Sequence, residues 1–448
     1  MEHIVSADFE QITNKIKPMH ATNMGPRQNG TFLSADFTKE FTEIGIPYAR
    51  LHDVEGTYGN NQYVNIHCIF PDFDADENLE DSYNFEPTDR YLKAIHDAGC
   101  ETFYRLGESI DHYKKQLYVH NPKDHLKWAK ICEHIIRHYN EGWADGFHFG
   151  IRYWEIWNEP DNWRMWTGTK EEFFNLYRVT SNHLKECFGE SIKVGGCAFS
   201  GFYAINRENP SEWFKTLVPY MHDFLKYITA EETKSPIDFF SWHCYADTPE
   251  ELYLHAQYAK DVIDEYGLKN CENILNEFNM YYCFKEYTPY HKGCFADLGA
   301  SLILSQKSCI DMLMHYGAFP RGTYNNLFAL GFDNMEIVRF AGFQSYKDFG
   351  TLYRLGNEVK TEGDIEGKLN ILAAKNDLEG GIMIVSREFL GELSIDIKGN
   401  YTTYELKYTT DGERGKEVVQ LVPQTPLEGN SIKINIKENE LLYISLQK

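Results

Sequence analysis

From about residue 17 to residue 316 the chain alternates short apolar runs with longer segments of helical periodicity, and the alternation repeats eight times. The runs expected as strands are 18–23, 48–52, 101–106, 153–157, 193–196, 239–243, 273–276 and 311–316. Between them lie periodic segments such as 124–139, 170–188, 249–266 and 293–308. In the first of these, Leu126, Ala129, Ile131 and Ile135 follow roughly helical spacing, and Asp124 after Pro122 suits a first-turn acid. Strands alternating with helices imply a parallel sheet, and eight such units close it into a barrel.

After about residue 350 the texture changes. Runs at 368–372, 381–385, 393–397, 401–409, 417–421 and 431–436 are separated by Gly, Asn and Asp, a spacing that reads as an antiparallel sandwich. Residues 5–16 are expected to add a strand to it. The expected fold is therefore α/β: a (β/α)8 TIM barrel over 17–349, with an appended antiparallel β-sandwich over 350–448 plus about 1–16.

A formal charge of −23 without any basic run excludes a phosphate-backbone binder, so no nucleic acid partner is expected. No run of 18 apolar residues occurs, so no membrane span is expected either. The start of the chain lacks a basic region followed by an apolar core, and the ten cysteines never form C-x-x-C. Buried free thiols and a cytoplasmic location are the matching expectations. Tyr, Phe and Trp make 15% of the chain, material used equally by sugar clefts and ordinary cores.

Two strand ends carry the chemistry. Tyr153-Trp154-Glu155-Ile156-Trp157-Asn158-Glu159-Pro160-Asp161 places Glu159 where the fourth strand gives way to a loop, at the barrel face that builds active sites. Pro160 biases Glu159 away from helix, Asn158 offers an amide to a sugar hydroxyl, and Trp157, Trp163 and Trp166 offer rings that could desolvate the carboxyl and raise its pKa. Glu155 competes for the acid role, but its position deeper in the strand favours a structural one. Cys271-Glu272-Asn273-Ile274-Leu275-Asn276-Glu277-Phe278-Asn279 closes the seventh strand on a second carboxylate. Each acid alone reads as an ordinary strand-end residue. As a pair across one barrel mouth they suit glycoside cleavage with retention, which needs two carboxyls about 5–5.5 Å apart.

The segments Trp154-Glu155-Ile156-Trp157-Asn158-Glu159-Pro160-Asp161, Phe240-Ser241-Trp242-His243-Cys244-Tyr245 and Leu275-Asn276-Glu277-Phe278-Asn279 resemble the strand 4, 6 and 7 signatures of glycoside hydrolase family 39, in clan A. Tyr48-Ala49-Arg50-Leu51-His52-Asp53 resembles its second strand and Val194-Gly195-Gly196 its fifth. That family includes β-xylosidases and α-L-iduronidases. The resemblance implies double displacement, with Glu159 as acid/base and Glu277 as nucleophile. It further implies that Asn158 holds the sugar 2-hydroxyl, that His243 and Tyr245 contact the nucleophile or sugar, and that His52 lines the non-reducing-end subsite. Arg50, Glu108, Trp163 and the acidic 72–81 loop are further candidate substrate contacts. On residue chemistry alone, His243 and Tyr245 read equally well as satisfied core residues. At strand 8, where family xylosidases carry a Trp platform, this chain reads Met312-Leu313-Met314-His315-Tyr316-Gly317-Ala318-Phe319. Tyr316 or Phe319 is the candidate replacement, and the departure bears on the sugar rather than on the chemistry.

Asp72-Phe73-Asp74-Ala75-Asp76 opens like a calcium loop, yet Glu77 and Tyr83 stand where Gly and Glu are required. His134 and His138 have a zinc-compatible spacing, but Ile135 breaks the H-E-x-x-H pattern and the outer face of a barrel helix is the simpler placement. No metal and no organic cofactor are expected. The reading is a retaining exo-glycosidase, β-xylosidase-like, acting on an oligosaccharide or glycoconjugate. A non-catalytic sugar-binding barrel and a same-clan endo-glycanase are the alternatives. Related xylosidases associate through barrel and sandwich, which leaves a homo-oligomer open.

Overall fold

The structure, a computed structural model, describes residues 2–26, 36–52, 64–110, 114–282, 292–317, 327–330 and 336–448. After β1 (His3–Lys15), eight strands hydrogen-bond in chain order into a closed barrel: β2 (Ala21–Asn23), β3 (Tyr48–Arg50), β4 (Glu101–Leu106), β5 (Tyr153–Ile156), β6 (Lys193–Phe199), β7 (Phe239–Ala246), β8 (Glu272–Met280) and β9 (Met312–His315). Every neighbouring pair is parallel, including β9 with β2. The eight expected strands fall on these eight, 101–106 to the residue and the other seven with one or both ends moved.

Helices form where the 3.6-residue pattern meets a capping group. His125–Asn140 starts at Asp124, whose carboxylate accepts from the backbone N–H groups of Leu126 and Lys127 at 2.9 and 3.0 Å. Trp128, Ala129, Ile131, Cys132, Ile135 and Ile136 face the barrel, while Leu126 is half exposed and outside that stripe. Lys170–Phe188 opens with a capping box between Thr169 and Glu172.

Inside the barrel, side chains stack in layers. At the bottom, Ala21, Phe103, Tyr153, Phe239, Ile274, Met312 and Met314 form an apolar plug. On β6, Gly195 makes room for it: an added Cβ would stand 2.2 Å from the Phe239 carbonyl oxygen and 2.7 Å from its ring. Above the plug sits a polar layer of Asn23, Arg50, Glu155, Ser241 and Asn276, all fully buried.

Beyond the barrel lie a short hairpin, β10 (Phe328–Leu330) and β11 (Ile337–Arg339), and the helix Ala341–Leu355. Then come β12 (Asn357–Glu362), β13 (Leu369–Lys375), β14 (Glu379–Ser386), β15 (Gly391–Lys398), β16 (Thr403–Asp411), β17 (Glu417–Pro426), β18 (Ser431–Ile436) and β19 (Glu440–Gln447). With β1 they make one nine-stranded sheet in the order β17-β16-β19-β14-β13-β12-β1-β15-β18. Val5 and Ile395 from one half share a core with Ile384 and Ile444 from the other, so the sheet closes on itself as a sandwich. Its pairs are antiparallel except β1 with β15, which run parallel because β1 enters from the far end of the chain. The opposite face of β13, β14 and β19, carrying Leu372, Met383, Val385, Leu441 and Tyr443, joins the barrel core beneath the helices Cys294–Lys307 and Ala341–Leu355. Burial on both faces explains the continuous apolar runs of β13 and β14.

Candidate active site

Both acids flagged in the sequence come to the C-terminal mouth of the barrel, each on irregular backbone. Beyond β5, Trp157 and Glu159 have φ of +71° and +43°, and Ala198 on β6 has φ +51°. These values cost non-glycine residues about 1–3 kcal/mol each and persist only where surroundings hold them. Here the Glu159 N–H donates to the Ala198 carbonyl at 3.0 Å, and the Trp157 N–H to that of Leu106 at 2.8 Å. Preceding Pro160, Glu159 avoids helix as expected but enters the left-handed region rather than the extended one.

Glu277 is aimed by a bulge. On β7 and β8, Trp242 pairs with Leu275 but the next residue, His243, pairs with Glu277, so Asn276 is the extra residue. As a result two successive side chains enter the barrel. Asn276 donates its amide to Glu155, and Glu277 sits one layer higher among Arg50, Tyr245 and His243.

The ionic framework is dense. The Arg50 guanidinium donates to Glu155 Oε2 at 2.8 Å through Nε, to Asn158 Oδ1 at 2.6 Å, to Asn23 Oδ1 at 3.0 Å and to Glu277 Oε2 at 3.3 Å. Ser241 donates to the other Glu155 oxygen at 2.6 Å. Glu155 is thereby saturated and fully buried, the structural role its depth suggested. Tyr245 donates its hydroxyl to Glu277 Oε1. His243 lies between the acids, with Nδ1 2.8 Å from Glu159 Oε1 and Nε2 3.7 Å from Glu277 Oε2. Asn162 donates to Glu159 Oε2 at 2.9 Å. One donor oxygen from each of Glu159 and Glu277 and one His243 nitrogen all lie within 4.8 Å of one another.

Burial pushes the Glu277 carboxyl above its ordinary range and Glu159's charge adds to the push, while His243, Arg50 and the Tyr245 hydroxyl pull it down. Burial also holds His243 down to about 4, so the imidazole is neutral at physiological pH. Asp161, in the same loop as Glu159, is pushed up to about 7 by burial against the hydrogen bonds it accepts from Ser200.

The other candidates are placed unevenly. Asn158 and Arg50 belong to this network, and Tyr316 stands edge-on to Tyr245 with ring centroids 6.4 Å apart. His52 is buried just past β3. Glu108 is taken up by the short helix Ile66–Ile69, accepting from the His67 backbone N–H at 3.1 Å and pairing with the His67 ring. Trp163 is exposed under the Arg164 guanidinium, 5.0 Å from its ring centroid. Trp157 and Trp166 do not flank the Glu159 carboxyl, because they turn into the helix layer toward Trp128 and Phe173. Phe319 lies outside the described residues. The acidic loop is tied to the helix His125–Asn140 and the segment just before it: Lys127 donates to the Ala75 carbonyl at 2.5 Å, and Lys130 and Lys123 pair with Glu77 and Asp74. Sequence reasoning missed Ser241, Asn276, Asn23 and Asn162, polar residues whose importance comes from partners distant in the chain.

Among the described residues, two clusters have donor sets able to ligate a cation: Glu159, His243 and Glu277, and, on outer helices, Glu133, His183 and Cys187. In each a guanidinium already serves a carboxylate, Arg50 on Glu277 and Arg137 on Glu133 at 2.8 Å. His138 is buried rather than on an outer face, hydrogen-bonded to Asp89 at 2.9 Å and stacked on Phe85.

This geometry coincides with what the chain resembles. The model of glycosyl hydrolases family 39 matches residues 3–297, well over half of the sequence. The protein belongs to glycoside hydrolase family 39. It is a glycosidase by membership, and a β-xylosidase from Caldicellulosiruptor saccharolyticus is 23% identical over 413 residues, covering 84% of this chain and 77% of that protein. Among solved structures, a glucosidase from Croceicoccus marinus superposes with a TM-score of 0.77 at 19% identity, over 100% of this chain and 99% of that one. A monomeric β-xylosidase from Caulobacter crescentus gives 0.67 at 14% identity over 99% of both chains. An α-L-arabinofuranosidase from Thermotoga maritima gives 0.68 at 13% over 100% of both. These likenesses establish the fold, a barrel with an appended sandwich. No helix among the described residues is long and apolar enough to cross a membrane.

Proposed function

We propose that this family 39 hydrolase is a retaining exo-glycosidase that releases a terminal sugar by double displacement. The carrying observation is the approach of Glu159 and Glu277 donor oxygens to within 4.8 Å. Inverting enzymes need room for a water, about 6.5–9.5 Å between carboxyl groups, whereas retaining enzymes hold them about 5–5.5 Å apart. Glu277 attacks the anomeric carbon while Glu159 protonates the departing oxygen, and Glu159 then activates the water that frees the sugar. Arg50 and the Tyr245 hydroxyl hold Glu277 ionised against its burial, and the Arg50–Asn158 bond fixes the amide that meets the sugar ring. Exo action on a β-xyloside-like substrate is supported by the β-xylosidases among its relatives, and on this reading Tyr316 or Phe319 takes the place of a Trp platform. The catalytic unit is assigned to 17–349, with 350–448 and 1–16 as accessory.

The test is Glu277→Gly assayed on a panel of nitrophenyl glycosides. Turnover should fall by several orders of magnitude, and azide should restore it while giving a glycosyl azide of inverted configuration. Near-full turnover by Glu277→Ala would overturn the assignment, and failure of azide rescue would favour a binder over an enzyme of this mechanism.

A further inference from the structure

On the outer helix layer a second donor set is assembled from two neighbouring helices. His183 and Cys187 stand four residues apart on Lys170–Phe188, which puts them on one face. Glu133 reaches them from His125–Asn140, the helix packed alongside. His183 Nε2 lies 2.6 Å from Glu133 Oε2 and 3.8 Å from Cys187 Sγ, and the three donor atoms fall within 4.8 Å of one another. All three side chains are partly exposed, so an ion can reach them, and Cys187 is a free thiol.

We propose that Glu133, His183 and Cys187 form a binding site for a divalent cation of the zinc class, with a water completing a tetrahedral shell. The donor types select that class. A thiolate and an imidazole favour zinc over calcium or magnesium, which take oxygen ligands. Zinc bonds of about 2.0–2.3 Å in a tetrahedral shell hold donors about 3.3–3.6 Å apart. The sulfur–nitrogen separation is already close to that, and the nitrogen–oxygen pair opens by less than an ångström when the ion enters. Cys187 Sγ gives up its proton to solvent, and the proton between His183 Nε2 and Glu133 leaves that nitrogen for Nδ1 or for solvent.

Arg137 does not compete for the same oxygen. Its Nε donates to Glu133 Oε1 at 2.8 Å, its Nη1 donates to Glu141 Oε2 at 2.5 Å, and its centre lies 5.1 Å from that of the Phe188 ring. Glu133 Oε2 is left facing His183 and Cys187. With the ion bound, its two charges are balanced by the Cys187 thiolate and Glu133, and Arg137 is balanced by Glu141, so the cluster carries no net charge. The catalytic trio differs: Arg50 and His243 both address Glu277 Oε2 while Tyr245 takes Oε1, so neither Glu277 oxygen is left to an ion. The two helices follow β4 and β5, so an ion between them staples the part of the barrel that carries Glu159. It binds the folded chain, where the three donors converge, and stabilises that state by mass action.

The experiment titrates the chelator-treated, full-length enzyme with Co²⁺ and then with Zn²⁺. Cobalt in this site should give a thiolate-to-cobalt charge-transfer absorption that saturates at one ion per chain, and Zn²⁺ should bleach it. Cys187→Ser should abolish the band, and His183→Gln should weaken uptake tenfold or more. Both variants should hydrolyse the preferred nitrophenyl glycoside within twofold of wild type, which shows that they fold. At about a hundredfold excess over its Kd, Zn²⁺ should raise the wild-type unfolding midpoint by roughly 3–4 °C and leave that of Cys187→Ser in place. Absence of the band in wild type, or its survival in Cys187→Ser, overturns the site. Uptake that is lost in Glu277→Gly but kept in Cys187→Ser puts the ion in the catalytic trio and overturns it as well.

Discussion

Glu155 and Glu159 sit four residues apart on one strand and its extension, and Glu155→Gln separates their roles. In the structure Arg50 contacts Glu155 Oε2 through Nε at 2.8 Å and Nη2 at 2.7 Å, with both side chains fully buried. A glutamine can keep its carbonyl toward Arg50. Its amide would then face Ser241, which can accept instead of donate, and Asn276, whose Oδ1 has no partner and can turn to meet it. What is lost is charge, not connectivity. Bonds to a charged group contribute about 1.5–3 kcal/mol and neutral ones about 0.5–1.5, so two weakened bonds cost about 2–3 kcal/mol. That is below the 3–5 kcal/mol or so for stranding a buried charge, because Glu277 remains as a counter-ion to Arg50. For a barrel of this size the unfolding midpoint should drop by roughly 3–4 °C. The assay is thermal unfolding beside a pH–rate profile on an aryl glycoside. Both limbs of the profile should survive in Glu155→Gln, with a modest loss of rate. An unchanged midpoint would refute the account of Glu155 as the anchor of Arg50, and disappearance of the basic limb would make Glu155 the acid instead of Glu159.

Other consequences are as specific. Tyr245→Phe removes a donor that stabilises ionised Glu277, so the acid limb of kcat/KM should move to higher pH and the rate fall roughly 10–100-fold. His67 is held at about 10, burial opposing and Glu108 prevailing, so its folded pKa exceeds the ordinary value near 6.5. The pair's contribution is therefore complete below about pH 6.5 and disappears as pH rises toward 10, and the midpoint gap between wild type and His67→Gln should close over that window. Arg387 pairs with Glu250 through two contacts and approaches Asp297 at 3.8 Å, joining sheet to barrel. Arg387→Ala should lower the unfolding midpoint and speed proteolysis at this seam, and unchanged proteolysis would show that the apolar contact of β13 and β14 holds the sheet by itself.

Much of the barrel is legible in the sequence because each unit repeats the same physical demand, a strand buried on both faces followed by a helix buried on one. The helix over 170–188 is read to the residue, since Thr169 and Glu172 mark its start and Gly189 its end. The accessory sheet is read less completely. Of its strands, β12 is missed because only Val359 among Asn357–Glu362 is buried, so no alternation shows. The run Leu441-Leu442-Tyr443-Ile444 in β19 carried a signal that could have found that strand. The polar layer beneath the site was not legible either. Ser241, Asn276 and Asn23 are unremarkable one at a time, and their role exists only once β2, β3, β5, β7 and β8 converge on Arg50.

The hardest thing to read is the direction in which each acid points. Strict alternation along β8 puts Ile274, Asn276 and Phe278 on one face, and Ile274 belongs to the barrel plug. That parity sends Glu277 outward, into the helix layer. The irregular pairing around Asn276 on both sides of β8 reverses the parity, so that Asn276 and Glu277 both enter the barrel and Phe278 packs outside. On β5 the corresponding work is done by left-handed backbone at Trp157 and Glu159, held by the carbonyls of Leu106 and Ala198. Both proposed catalytic carboxylates are therefore carried by backbone that breaks the rule that locates their strands. Periodicity finds the strand ends, because most of each strand is regular. It cannot find the orientation of the final residue, which neighbouring strands impose through contacts more than thirty positions away in the sequence. Relaxing either irregularity would leave the strands paired and the plug packed while turning one carboxylate out of the mouth, so fold and site draw on separable features of the same strands.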